Sequence, residues 1–362
     1  MPDQHQYVKI SRQYYCLQQN PIALAWFLCF RSKSLQLRHT FGKKKVMRTV
    51  KALVQHQLHL QKSRTVLELP FYGNLCLKVH RGYRIFNYRR NTVVRMFDPE
   101  VDPAIVASEI EGVRSAGQLD CAPNVLRWNG KERWYEEDLV MGHPAYFNPR
   151  SGSAAFFEIY HQDVAPCLEG MILLQAPLTE GLRDYVDVLT HSFERIAYEP
   201  ELDADKINSI RRFVESVIAR LWLERDRQID LVFSHGDFSL PNILRTRDGI
   251  RVIDWESAGR RSVLFDLHNY FFTELYYKRA TTDLLLEIEE AISSLQSRLA
   301  SKAPGIARTL CLSAQMYRWL YYVERILVLL DRELSDKVLD VILRSIEVFN
   351  RYEEAMAKQD LA

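Results

Sequence analysis

Hydrophobic and polar positions change their period along this 362-residue chain. From about Val66 to Phe97 apolar residues alternate with polar ones in short runs, the period-two pattern of half-buried strands. Leu75–His80, Tyr83–Tyr88 and Thr92–Phe97 read as three strands, with Gly82 at the first turn and Arg89-Arg90-Asn91 at the second. Asp102-Pro103 opens a helix to about Ser115, since proline suits a first helical turn. Two more strands are expected near Asn124–Trp128 and Trp134–Val140, and the β texture ends at Met141-Gly142. Helical periodicity then dominates. Ala154–Leu174, Leu178–Ala197 and a segment capped by Asp203 or Asp205 and reaching Arg225 are predicted helices. One β interlude breaks the series at Leu231–Ser234, Ile243–Arg245 and Ile250–Asp254, with Asp248-Gly249 as a hairpin signal. The pattern predicts an α+β chain: a small β-rich lobe over residues 66–142 and a mostly helical lobe over 143–362.

Residues 1–65 stand apart as a basic appendage. Up to residue 67 the chain holds 12 Lys/Arg and a single acid, Asp3, leaving 36 basic and 45 acidic residues for the remainder. Lys43, Lys44, Lys45, Arg48 and Lys51 interleave with Val46, Val50, Leu53, Val54 and Leu58 at helical spacing. Just before them, Ile22–Phe30 is apolar but far short of the roughly 20 residues that span a bilayer. An amphipathic basic helix beside a short apolar anchor fits an anionic membrane surface. The same spacing fits helices packed on the body with solvated lysines, so both readings stay open. Nucleic acid is disfavoured as a partner, because the apolar positions follow a helical stripe and no aromatic stacking motif accompanies them.

The six cysteines are scattered without a C-x-x-C pair, which argues against a structural zinc site and a disulfide framework. Reduced thiols imply a cytoplasmic protein, peripheral at the inner face of a membrane if the basic segment binds lipid.

The chemistry concentrates in His235-Gly236-Asp237-Phe238-Ser239-Leu240-Pro241-Asn242, followed by Ile253-Asp254-Trp255-Glu256. Asp237 and Asn242 lie five apart on one loop flanked by strands. Asp254 ends an apolar strand twelve residues later. Phosphoryl transfer needs a carboxylate beside the acceptor hydroxyl and oxygen ligands for the ions that bridge the phosphates. This arrangement supplies both.

These residues resemble the aminoglycoside phosphotransferase and choline kinase superfamily, whose signature is H-G-D-x4-N followed by a strand ending I-D. The resemblance implies a two-lobed protein-kinase-like fold with ATP and Mg2+ as cofactors. It implies Asp237 as catalytic base, His235 as an orienting residue, and Asn242 and Asp254 as magnesium ligands. Asp266, in Phe265-Asp266-Leu267, falls where the family braces its catalytic loop. The run through Phe271-Phe272-Thr273-Glu274 is similar to choline and ethanolamine kinases, making Glu256 and Glu274 acceptor-site candidates. Arg95 occupies the place of the family's phosphate-holding lysine, with Glu109 as its expected partner, Glu111 as a rival, and Lys78 as an alternative phosphate contact. Main-chain groups near Glu137–Val140 are expected to read adenine, so Glu137 and Val140 mark the hinge. Tyr321, with Tyr317 and Glu324 on one helix face, is a candidate wall of a cage for a quaternary ammonium, against a plain core role.

The function implied is ATP- and magnesium-dependent phosphorylation of a hydroxyl on a non-protein acceptor. The basic appendage favours a membrane-associated sugar or lipopolysaccharide/glycan unit. A small soluble acceptor (choline or ethanolamine, a sugar, an aminoglycoside) and a non-catalytic nucleotide-binding scaffold stand as alternatives.

Overall fold

The computed structural model describes residues 4–9, 14–17, 66–145, 152–197, 202–277, 282–302 and 314–359. The amphipathic stretch expected over residues 43–58 and the apolar run before it lie outside these. The chain forms two compact units: Met1–Tyr146 with Pro241–Glu256, and Phe147–Leu240 with Ser257–Ala362. The sequence expectation drew one boundary after residue 142. The folded chain also returns residues 241–256 to the first unit.

The first unit is built on eight strands: β1 (His5–Lys9), β2 (Tyr14–Leu17), β3 (Val66–Leu69), β4 (Leu75–Val79), β5 (Gly82–Asn87), β6 (Thr92–Phe97), β7 (Val125–Asn129) and β8 (Trp134–Asp138). They lie in the order β3-β1-β2-β4-β5-β6-β8-β7. Two pieces of the segment read as a separate basic appendage, β1 and β2, are therefore strands of this sheet. Register explains the core beneath it. Cys76 faces Ile85 and Ile85 faces Val94 across β4-β5-β6, and all three are buried with Tyr7, Tyr15 and Leu69. At Gly82 the backbone takes φ +147°, and a Cβ there would lie 2.1 Å from the Met96 carbonyl oxygen, so this turn requires glycine. The helix Pro103–Ala116 starts where Asp102 accepts the Ala104 N–H at 2.7 Å. A three-stranded sheet completes the unit. In it Ile243–Thr246 pairs with both Gly249–Val252 and His143–Pro144.

The second unit is mostly helical around a small antiparallel sheet of Leu178–Gly181, Gln228–Ser234 and Gly259–Ser262. Leu178–Gly181 was expected to begin a helix. It is a strand because it pairs with Gln228–Leu231, and Thr179 Oγ1 donates to Asp230 at 2.6 Å, so the helix starts only at Leu182. The helix expected over 154–174 is also interrupted. Residues Tyr160–Val164 widen into a π turn, in register with Pro166, which has no N–H to return to the preceding turn.

The helix Ala314–Arg332 runs through the middle of this unit. Its buried Arg318 bonds Glu289 and reaches Glu353 at 2.6 Å, while Tyr352 donates to Glu289 at 2.9 Å and Tyr322 to Glu353 at 3.0 Å. Three helices are tied by charge-assisted bonds that satisfy every member. Six residues on, buried Glu324 accepts the Ser262 N–H at 2.7 Å, the Ser262 hydroxyl at 2.6 Å and the Tyr185 hydroxyl. Truncating Glu324 to alanine leaves these donors unpaired in the interior and should lower stability by about 3 kcal/mol. Tyr185→Phe removes one donor and should cost about 1 kcal/mol. Denaturant unfolding followed by tryptophan fluorescence measures both.

Candidate active site

The candidate residues fall in both units, and the second holds the turn that carries Asp237. The strand Gln228–Ser234 delivers the chain into His235-Gly236-Asp237. Gly236 takes φ +82°, and a Cβ on it would stand 2.1 Å from the Ser257 carbonyl oxygen. The helix Phe265–Tyr277 begins beside this turn, and Asp266 accepts two of the turn's main-chain N–H groups, from His235 at 2.7 Å and Gly236 at 3.1 Å. Burial pushes the Asp266 carboxyl up, opposed by His235 and by those two N–H bonds. His235 is fully buried, and its Nδ1 accepts the Asp237 N–H at 3.1 Å, which leaves the ring proton on Nε2. Asn269 fixes the far side by donating to the Phe238 carbonyl oxygen at 3.0 Å. Arg261 adds bonds to Ser234 Oγ at 3.1 Å and to the Ser257 carbonyl oxygen at 2.8 Å.

Asp237 itself is half-buried and meets two guanidinium groups. Arg325 Nη1 lies 3.5 Å from Asp237 Oδ1 and donates to the Gly236 carbonyl oxygen at 3.2 Å. Arg332 Nη1 donates to Asp237 Oδ2 at 3.0 Å. Sequence reading missed both arginines. Their one signal was a spacing of seven, which puts them on one side of a helix.

In the first unit, Asn242 ends a short 3-10 turn and its carbonyl oxygen accepts the Ile253 N–H at 2.9 Å, so the residue before Asp254 is held against Asn242. Asp254 has φ +73°, the left-handed region, which non-glycine residues adopt uncommonly and aspartate more readily than most. Its carboxylate bonds Arg84, which also lies 3.5 Å from Glu256. Arg84 was likewise missed. Burial works against its charge, but Asp254 and Glu256 more than offset this and push its pKa further up.

Arg84 is directly opposite Arg95 in the β5-β6 register, and Arg95 opposite Tyr135 in β6-β8. Two arginines side by side on one sheet face repel unless each has its own counter-ion. Arg95 has Glu109, at 3.3 Å from Nε, and Tyr135 also donates to that carboxylate at 3.4 Å. The remaining Arg95 nitrogens bond the carbonyl oxygens of His80 at 2.8 Å and Met96 at 3.4 Å. At 1% exposure, Arg95 is wrapped by protein acceptors. Glu111 instead pairs with Arg114 on the helix surface.

Other candidates are more dispersed. Lys78 is exposed, with its amine 5.2 Å from the Tyr83 ring centroid. At the expected hinge, Asp138 N–H bonds the Asn124 carbonyl oxygen at 3.0 Å and Leu139 N–H that of Asn91 at 2.8 Å, while Val140 packs on Leu244 and Ile253. Glu274 is half-buried near Tyr270. Tyr321 is buried and stacks on His268, with ring centroids 5.6 Å apart. Glu324, the carboxylate of the conceived ammonium cage, is occupied by Ser262 and Tyr185, and Tyr317 is fully buried. Core packing accounts for Tyr317 and Glu324 in that stripe.

Asn242 and Asp254 offer an amide oxygen and a carboxylate, the hard donors magnesium prefers while keeping several waters. Among the described residues no three His, Cys, Asp or Glu side chains gather into a closed metal cage. That sparse pair suits an ion completed by phosphate oxygens.

Residues 167–300 match the model of the phosphotransferase enzyme family. This stretch contains the turn His235-Gly236-Asp237, Asp254 and Asp266. No curated protein matches the chain. Among solved structures the chain is similar to a choline kinase of Streptococcus pneumoniae, at 13% identity over 85% of this chain and 99% of that one, with a TM-score of 0.47. It is also similar to an ethanolamine kinase of Plasmodium vivax, at 12% over 75% and 80%, TM-score 0.49. An aminoglycoside phosphotransferase of Streptomyces rimosus, solved with ADP and streptomycin, matches at 20% over 68% and 90%, TM-score 0.45.

Two outcomes follow from this geometry. Gly236→Ala drives a methyl into the Ser257 carbonyl and should displace Asp237, lowering turnover by about 100-fold. Steady-state kinetics with circular dichroism as a folding control checks it. Burial pushes the Glu137 carboxyl up to about 7, against the opposing pull of Arg84. Between its ordinary value of 4.5 and about 7 the folded chain keeps a proton that the unfolded chain has lost, so this group's contribution to stability falls as pH rises through that window. Glu137→Gln should raise the melting temperature at pH 8 and leave it nearly unchanged at pH 4.5 (thermal unfolding at the two pH values).

Proposed function

We propose that this chain, a kinase whose residues 167–300 carry the phosphotransferase family segment, moves the γ-phosphoryl group of ATP to a hydroxyl on a non-protein acceptor with the help of magnesium. The observation that carries this reading is the presentation of Asp237. One turn is fastened at the two preceding N–H groups by Asp266 and at Asp237's own N–H by His235, so the carboxylate is aimed without the backbone leading to it being free to relax.

In this reading Asp237 accepts the proton of the acceptor hydroxyl as the oxygen attacks phosphorus, and His235 and Asp266 keep it in place. Asn242 and Asp254 would hold magnesium. Bound there, the ion neutralises charge on the phosphate oxygens. The positive φ at Asp254 and the main-chain bond between Ile253 and Asn242 support a ligand pair fixed by the fold. Arg84 already serves as counter-ion to Asp254 and Glu256, which makes it a better candidate for a phosphate contact than Lys78. Arg95 braces Glu109 and the turn at His80. Main chain around Glu137–Val140 remains the proposed adenine reader.

For the acceptor we favour a membrane-associated sugar or glycan unit, on the strength of 12 Lys/Arg against one acid in residues 1–67. No helix among the described residues is long and apolar enough to cross a membrane. A scaffold without activity is the second reading, favoured by the full engagement of Arg95 with protein acceptors.

Transfer of labelled γ-phosphate from ATP and magnesium into membrane and soluble fractions tests the proposal. Label should appear in the membrane fraction and fall by about 100- to 10,000-fold in Asp237→Asn. Asp254→Asn should show a raised magnesium requirement. Label confined to a soluble molecule would keep the kinase and remove the membrane acceptor. Label equal in wild type and Asp237→Asn would favour the scaffold.

A further inference from the structure

We propose that the acceptor carries a phosphate or carboxylate near the hydroxyl to be phosphorylated, and that Arg325 and Arg332 bind this anion. The proposal rests on the reading of Asp237 as the base and names the chemical class of its substrate.

Both arginines project from the helix Ala314–Arg332, seven residues or about two turns apart. Each contacts one oxygen of the same carboxylate, Arg325 at 3.5 Å and Arg332 at 3.0 Å. A hydroxyl that takes the Asp237 oxygen in the place of Arg325, the longer of the two contacts, displaces that guanidinium. A neutral alcohol would leave the displaced group partly buried without a counter-ion, because the side chain of Arg325 is only 14% exposed. An acceptor with its own anion supplies a replacement. The guanidinium forks exchange one anionic partner for another, and Asp237 is released to take the proton. A cationic acceptor would meet two positive groups instead.

The adjoining cavity points the same way. About 70 Å³ in volume, it is walled by Phe272, Tyr276, Tyr321 and Phe349, with Arg325 among its lining residues. Among the described residues that line it, Arg325 alone carries a charge. Aromatic walls can hold a cation, but the charge on this lining is positive, and the candidate carboxylates are committed elsewhere: Glu324 to Ser262 and Tyr185, Glu256 to Arg84. Glu274 is not among the lining residues. Aromatic walls with one guanidinium suit the acid-bearing end of an acceptor.

The test uses the full chain and matched probes. ADP release from magnesium-ATP, abolished in Asp237→Asn, reports the kinase reading by itself. Acceptor-stimulated ADP release is then compared for glucose with glucose 6-phosphate, galactose with galacturonate, and choline as a cation. At least one acid should stimulate 10-fold or more above its neutral partner, and choline should not stimulate. Arg325→Gln and Arg332→Gln should each raise the KM for that acid at least 10-fold with the KM for ATP within twofold. Arg332→Lys should recover part of the loss. Arg332 is the more exposed of the two, so its variants keep the test valid if Arg325→Gln fails to fold. Preference for the neutral partners or for choline would overturn the proposal while leaving the kinase reading intact. So would a KM shift for ATP in place of the acceptor, since the arginines would then serve the nucleotide's phosphates. Absence of Asp237-dependent ADP release would overturn both.

Discussion

The presentation of Asp237 depends on one buried carboxylate. Asp266 takes the N–H groups of His235 and Gly236 together, and without it both donors would be left unpaired inside the protein. An unpaired buried N–H costs about 1–3 kcal/mol, and two on consecutive residues would favour opening of the turn. The glycine between them matters for the same reason. Its left-handed φ brings both N–H groups to bear on one side, and its missing side chain lets the Ser257 carbonyl approach. The turn is specified from two directions, by what Asp266 attracts and by what Ser257 excludes.

Charge around the site follows a repeated rule. Four of the candidate carboxylates lie against arginine from their own unit: Asp254 and Glu256 against Arg84, Glu109 against Arg95, Asp237 against Arg325 and Arg332. Arginine keeps its charge when buried, where lysine readily sheds its proton. Half-buried acids thereby stay compatible with a stable fold. Replacing the expected strand lysine by Arg95 fits this rule, since a guanidinium can bond Glu109 and two carbonyl oxygens at once. The change makes that residue a structural anchor and leaves Arg84 beside the Asp254 carboxylate.

The parts legible in the sequence were those encoded locally. Alternation over Leu75–Phe97 gave strands within a residue of those observed, and Asp102-Pro103 gave the helix start. The spacing of Asp237, Asn242 and Asp254 is local as well, because the turn and hairpin are short. What escaped was set by distant partners. Leu178–Gly181 is a strand only because Gln228–Leu231 lies beside it, and β1 and β2 acquire their conformation from β3 and β4. Arg84, Arg325 and Arg332 looked like ordinary surface charges until the register and the helix direction brought them to carboxylates 170, 88 and 95 residues away. Glu324 shared a helix face with aromatic residues, yet its bonds to Ser262 and Tyr185 make it part of the interior.

The hairpin Ile243–Val252 belongs to the first unit although 94 residues of the other unit precede it in the chain. It supplies the Ile243 carbonyl for Ala145 at 2.8 Å, takes the Cys121 carbonyl at Val252 at 2.7 Å, and contributes Leu244 to the core under Val140, which Ile253 completes. During synthesis, residues 66–145 therefore emerge with an exposed strand edge and an open apolar patch that only a later segment can cover. The β-rich unit reaches its final form after residue 256 has left the ribosome, and the long-range closure slows that step. Domain order along the gene and order of folding need not agree, and a nascent chain stalled before Pro241 would expose a natural handle for chaperones.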